Sequence, residues 1–306
     1  MLELKAVPKP IPQRGLEATT VATEQPRKST EGSPGTEQGE ESRSAKLLLV
    51  KGKGAPIQRR LASNPGSGLE SVLGIDERTR ILDTDLAPWR MICALRMRVP
   101  SGGAAIGTGW LAGPRTIITA GHCVFSQFFF GGWAEAIEIS PGRNGNLFPV
   151  QTVASQRFSS VDRWVSNEDP DFDIGAIHLN DSLGDSLGWF AIGALPASEL
   201  ESFLVNISGY PADRGDGQEQ YFHRNRILRV TERRIFYDVD TFGGQSGAPV
   251  WIHESEGAEP LAVGIHAYGV GGTPTNFAIT ANSAPRIIPE VFDLIRAWVD
   301  GDNQRG

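Results

Sequence analysis

Between residues 88 and 266 the apolar residues come in short runs, each of strand length and each closed by glycine, proline, asparagine or aspartate. A chain punctuated this way cannot build long core helices and is confined to an all-β sandwich or barrel. The runs fall at 88–98, 107–111, 116–120, 173–179, 204–208, 229–239, 249–252 and 261–266, with Gly113-Pro114 as the turn between the second and third. The 36 glycines and 20 prolines fit so many turns. One helix is expected at the end of the chain. Pro289 suits a first turn, Val291, Leu294, Ile295 and Trp298 share one face, and Gly301 reads as a stop. This helix is expected to pack as a lid on the core.

The chain divides near residue 70. Residues 1–70 carry 11 Lys and Arg against 8 Asp and Glu, leaving 18 against 28 in residues 71–306, a net of −10 there. The first part is rich in Pro, Gly, Ser, Thr, Glu and Lys and has too few apolar side chains to offset the entropy of ordering. It reads as disordered, with a basic patch at 51–60, and is either a solvated tail or a pro-segment. The acidic second part argues against nucleic acid as a ligand. No apolar run reaches the length of a membrane span. Residues 1–11 lack the apolar stretch of a secretory signal. Cys93 and Cys123 show no zinc-type spacing, and no metal or cofactor is expected. Asp169-x-Asp171-x-Asp173 has the start of a calcium-loop spacing, but Ile174 stands where its glycine belongs and Asn180 where its glutamate belongs.

Three stretches carry chemistry. In Thr241-Phe242-Gly243-Gly244-Gln245-Ser246-Gly247-Ala248-Pro249 a serine sits on a glycine-rich turn, which can aim a hydroxyl and nearby backbone N–H groups at one point. In Thr119-Ala120-Gly121-His122-Cys123 a histidine follows a strand behind two small residues. In Asp171-Phe172-Asp173-Ile174-Gly175-Ala176-Ile177 an aspartate heads an apolar strand, where burial is costly without a partner. Taken singly, each has a plain reading: a hairpin serine, a structural histidine, a turn aspartate.

Together they run His, Asp, Ser along the chain, the order of chymotrypsin-type barrels. Thr-Ala-Gly-His-Cys resembles the histidine signature of that family, Asp-Ile-Gly-Ala-Ile its aspartate strand and Gly-Gly-Gln-Ser-Gly-Ala-Pro its nucleophile loop. The resemblance covers residues 71–300. It implies an all-β fold of two six-stranded antiparallel β-barrels with a C-terminal helix, residues 71–306 forming the protease domain with the active site between the barrels. It implies a serine endopeptidase in which His122 takes the proton of Ser246, Asp173 orients His122, and the N–H groups of Gly244 and Ser246 hold the oxyanion. Asp171 and Asp169 are rival acids; Asp173 is preferred because it directly opens the apolar run. Protein or peptide substrates, a monomer, and neither nucleic acid nor membrane as partner are expected. The family is usually secreted; the missing signal peptide leaves localisation open. Its histidine-side disulfide has no partner for Cys123 in residues 106–109, so the cysteines are expected to be free.

Gln245 stands where digestive trypsin-like enzymes carry the aspartate that pairs with a new N-terminus. Gly-Gln-Ser-Gly resembles instead the bacterial glutamyl endopeptidases, the staphylococcal V8 type and its Bacillus relatives. Residues 71–80 resemble a mature N-terminus of the Bacillus members, and Gly209-Tyr210-Pro211-Ala212-Asp213 another of their segments. The resemblance places Thr241 and His266 on the P1 carboxylate, with a protonated histidine adding charge, together with the amine of Ser71. Glu70-Ser71 is then a self-compatible activation junction, which favours a pro-segment over a tail. Asp240 is a counter-signal, since an acid beside the pocket suits basic P1 residues. The competing expectations are a protease of other P1 specificity and a protease-like binding module without activity.

Overall fold

The computed structural model describes residues 49–50, 61–62, 72–99, 103–255, 257–269 and 277–305. Most of the N-terminal segment, including Ser71, lies outside them. Two curled sheets form the body. The first orders seven strands as Val153–Ser155, Ile137–Pro141, Ile92–Arg98, Ala104–Leu111, Thr116–Thr119, Gly175–His178 and Phe158–Ser160, all antiparallel. The second has ten strands around Leu261–Ile265, Pro249–Ile252, Leu204–Gly209, Tyr221–Val230, Arg234–Tyr237 and Asn282–Pro285.

The strand count exceeds six per barrel because short segments join the second sheet: Leu49–Val50 pairs with Ala191–Gly193, and Leu61–Ala62 with Thr79–Ile81. One of its pairings, Ala191–Gly193 with Leu261–Ile265, is parallel. The run expected at 229–239 is a hairpin, with a turn between Tyr221–Val230 and Arg234–Tyr237. Period-2 alternation cannot reveal a turn that keeps apolar residues on both sides. The run expected to start at residue 88 begins with a 3-10 turn, Trp89–Met91.

Apolar burial joins the sheets. Trp110 of the first sheet stands edge-on to Phe190 at 5.7 Å, and Phe190 edge-on to Trp251 of the second at 5.6 Å. All three are buried. Edge-to-face contacts of this kind add to area burial, itself worth about 25 cal/mol per Å2 of apolar surface.

The final helix spans Pro289–Asn303 and buries Val291, Phe292, Ile295 and Trp298. It runs through Gly301, against expectation, because Asp302 anchors one more turn. Asp302 accepts hydrogen bonds from Thr116 Oγ1 at 2.7 Å and His178 Nδ1 at 2.7 Å, and pairs with Arg305 at 2.9 Å. Ser159 Oγ lies 2.8 Å from the other ring nitrogen of His178. His178 has no catalytic part here; it ties the helix to the first sheet. Asp302→Ala leaves buried polar partners unpaired and is expected to cost about 3 kcal/mol. The check is a lowered urea midpoint at unchanged slope.

Candidate active site

The loop 241–248 is folded by its neighbours rather than by its own bonds alone. Thr108 Oγ1 donates to Gly244 O at 2.9 Å, Thr108 N–H to Ser246 O at 2.8 Å, and Ala212 N–H to Gly243 O at 2.7 Å. Gly244 (φ +101°) and Gly247 (φ +89°) take backbone conformations that L side chains rarely adopt. A Cβ at Gly247 would also lie 2.0 Å from Thr108 O. Within the loop the N–H groups of Gln245, Gly247 and Ala248 donate to Phe242 O, His266 O and Gln245 O. Those of Gly244 and Ser246 have no acceptor among the described residues. The two donors expected for an oxyanion are thus unspent, as are the N–H groups of Thr241 and Gly243, and Ser246 is only partly buried.

His122 sits on the short helical turn Gly121–Val124, directly after the strand Thr116–Thr119. Asp173 is fully buried and meets it twice: Asp173 Oδ1 accepts the His122 N–H at 2.8 Å, and Oδ2 lies 2.7 Å from Nδ1. Burial alone would depress the His122 pKa, but the Asp173 carboxylate, with Cys123 beside it, raises it well above the ordinary histidine value. The rival acids are engaged elsewhere. Asp169 pairs with Arg163 at 2.9 Å and caps the following turn through the Asp171 N–H, while Asp171 lies 3.4 Å from Arg234.

Tyr268 was not singled out by sequence. Its ring lies 6.3 Å from that of His122, and burial together with a hydrogen bond to Asp173 pushes its phenol pKa far up. Cys93 and Cys123 are free and buried. Gly107 occupies the place beside Cys123, where an added Cβ would stand 3.0 Å from its sulfur.

His266 and Thr241 are both buried, beside and within the nucleophile loop. Backbone bonds His266 N–H to Ala248 O (2.9 Å) and Gly247 N–H to His266 O (2.7 Å) fix the strand against the loop. His266 is not the charged group anticipated from the sequence. Burial, with the charges of His122 and Arg234 acting the same way, lowers its pKa to about 3, so it is neutral at ordinary pH. Its Nδ1 lies 2.5 Å from Tyr237 Oη. Thr241 Oγ1 has no hydrogen-bond partner among the described residues.

The buried cation nearby is Arg234. It donates to Pro170 O at 2.6 Å and Ser283 Oγ at 2.7 Å, and its guanidinium stands 5.0 Å over the Tyr268 ring. Its Nε has no acceptor among the described residues. Arg234 and Tyr237 lie in the hairpin that sequence periodicity read as one strand, so neither was placed at the site.

Asp240 is not a free acid in the pocket. Its Oδ1 accepts Leu73 N–H at 2.7 Å and its Oδ2 Glu77 N–H at 2.9 Å, which holds the start of the described domain against residue 240. Nearby, Asp76 pairs with Arg78 at 2.9 Å and Arg214 at 2.6 Å. Burial opposes the charge of Asp76, but the two arginines bring its pKa down to about 2. Ligand atoms of Glu77, His223 and Asp240 gather within 4.8 Å of one another. Each Asp240 oxygen already accepts a backbone N–H, and His223 Nδ1 accepts the Asp240 N–H at 2.7 Å.

The family described as trypsin-like peptidase domain matches residues 107–262, a stretch holding His122, Asp173 and Ser246. A glutamyl endopeptidase of Bacillus licheniformis is 35% identical over 233 residues, 75% of this chain and 69% of its own length. A protein of Bacillus subtilis named extracellular metalloprotease is 35% identical over 231 residues, 75% of this chain and 70% of its own length. Among solved structures, a Glu endopeptidase bound to MPD superposes with a TM-score of 0.61 at 23% identity, covering 75% of this chain and 99% of that one.

Proposed function

The chain belongs to the trypsin-like peptidases, serine endopeptidases acting on proteins or peptides, and from that premise we propose that it cleaves after glutamate through His122, Asp173 and Ser246. The observation that carries the reading is the doubly bonded Asp173–His122 pair beside a loop whose Gly244 and Ser246 N–H groups are unspent. Ser246 attacks the peptide carbonyl and His122 Nε2 takes its proton. Asp173 holds the Nδ1 proton and stabilises the imidazolium. The oxyanion is met by Gly244 N–H and Ser246 N–H. His122 then protonates the leaving amine, and water repeats the sequence on the acyl-enzyme.

At the P1 pocket a neutral His266 donates from Nε2 when Tyr237 Oη donates to Nδ1. Thr241 Oγ1 supplies a second donor. The positive charge that favours a carboxylate over its amide comes from Arg234, behind Tyr268 and bonded to Ser283. Residues 1–70 act as a pro-segment. Cleavage at Glu70-Ser71 frees the Ser71 amine, and Asp240, by gripping Leu73 and Glu77, holds that end beside Thr241.

The test is the ratio of kcat/KM for paired peptides with Glu or Gln at P1, followed from pH 6 to pH 9. A histidine with a pKa near the usual 6.5 would lose its charge, and the Glu preference with it, as pH rises through that range. A pKa of about 3 for His266, and an Arg234 that stays protonated in this range although burial lowers its pKa, predict a constant ratio. Arg234→Gln is expected to lower the ratio roughly ten- to hundredfold, the scale of a lost charge-assisted interaction. A ratio that falls steeply between pH 6 and pH 8 returns the charge to His266, and the absence of any Glu preference sinks the P1 reading.

A further inference from the structure

The outer face of the first sheet carries a basic channel that begins at the nucleophile loop. Directly paired residues on neighbouring strands point the same way, so Arg96, Ile106 and Glu138 share a face, with Arg98 and Ala104 one step further out. At the inner end Ile106 packs against Gly217 and Gly244, while Thr108, next on that face, bonds to Gly244 O. Gly107 lies between Cys123 and the Ser246 carbonyl. Ile106 touches the loop at Gly244, whereas the His266 backbone meets it at Gly247 and Ala248, so the channel starts at the opposite end of the loop from the His266 strand.

Two hollows follow one another along it. A cavity of about 230 Å3 is lined by Arg96, Ile106, Arg143, Asp216 and Gln218 among others. A larger one of about 520 Å3 includes Arg98, Glu138, Arg157 and Asn180, and shares Arg96, Ala104 and Glu138 with the first. Four arginines thus face two acids in a domain whose net charge is −10. Arg143 is committed, bonded to Gly145 O at 3.0 Å and Gln218 Oε1 at 2.6 Å, and Arg157 donates to Leu179 O at 2.8 Å. Arg96 and Arg98 are exposed and form no ion pair among the described residues. Burial lowers the Arg143 pKa, and the charge of Arg96 acts in the same direction, against Tyr210 and Glu138, which raise it.

We propose that this channel receives the substrate on the leaving-group side of the scissile bond and selects acidic side chains there, with Arg96 and Arg98 as the determinants. The proposal rests on the reading of Ser246 as the nucleophile. An extended peptide advances about 3.3 Å per residue, so the arginines meet side chains roughly two to four positions past the cut. The pocket under His266 reads the residue before the bond; the arginines read the chain after it.

The experiment compares two peptides identical up to P1, carrying Asp and Glu downstream in one and Asn and Gln in the other. P1 is whichever residue the wild-type enzyme cleaves best, so a failed Glu preference shows itself separately and leaves this comparison intact. Wild-type enzyme is expected to favour the acidic peptide about five- to tenfold in kcat/KM at low salt, with the preference shrinking in high salt. The double variant Arg96→Gln, Arg98→Gln is expected to bring the ratio near one, and Arg98→Gln alone to an intermediate value. Because the ratio is internal to each protein, partial loss of folded enzyme cancels. Equal rates in the wild type, or a preference that survives the double variant, overturns the proposal.

Discussion

Replacing Ser246 with alanine is expected to lower kcat for peptide hydrolysis roughly a millionfold and to leave the unfolding midpoint close to that of the wild type. The stability half of this expectation follows from how the loop is held. Thr108 bonds its carbonyls, Gly247 N–H and His266 N–H lace it to the neighbouring strand, and the Ser246 hydroxyl carries none of these bonds. The activity half follows because Ser246 is the hydroxyl that the loop carries beside the unspent Gly244 and Ser246 N–H donors, while Cys123, the thiol next to His122, is buried. N-terminal sequencing of both proteins supplies a second readout. Wild-type enzyme is expected to begin at Ser71 and the variant to keep residues 1–70. A variant with wild-type rates places the nucleophile elsewhere. A wild type that cleaves nothing, even with residues 1–70 removed, makes a binding module the better description.

Asp173→Asn is expected to cost about 10^4-fold in kcat. The carboxylate accepts from both the backbone N–H and Nδ1 of His122. An amide presents an N–H to one of these positions, so Nδ1 becomes an acceptor and the proton moves to Nε2, where the base is needed. The pH profile separates this from simple loss of fold. With Asp173 present the His122 pKa is raised, so the base form is lost as pH falls through that raised value, and kcat/KM climbs on an acid limb above the ordinary histidine range. Without the carboxylate, burial dominates and the limb of the residual activity moves down. Profiles of kcat/KM against pH for the two proteins, with coincident limbs, would remove Asp173 from the site.

What could be read from the chain beforehand was whatever depends on local pattern. Strand-length runs closed by turn residues marked both sheets, and the His122, Asp173 and Ser246 stretches announced themselves by small neighbours and by order. Arg234 and Tyr237 were invisible because their hairpin turns at Thr231-Glu232-Arg233, which carries no glycine, proline, asparagine or aspartate to mark it, so one strand was read where two exist. The charge state of His266 could not be read either. It is set by burial and by His122 and Arg234, which lie far from it in sequence. Asp240 looked like a pocket acid because its neighbours in sequence are pocket residues; its partners, Leu73 and Glu77, lie more than 160 residues away. Gly301 looked like a stop because the Thr116 and His178 contacts that extend the helix are likewise distant.

The bond pattern Ser159–His178–Asp302 repeats, side chain for side chain, the constellation proposed for the cleft. Yet Ser159 is 5%, His178 6% and Asp302 1% exposed, too little surface for a peptide bond to reach. On the proposed mechanism the same polarised relay serves two ends in one molecule: inside the first sheet it is a rivet, and at a solvent-facing loop a proton shuttle. A template that recognises hydrolases by the mutual placement of these three side chains would score this chain twice, and only accessibility separates the engine from the fastener.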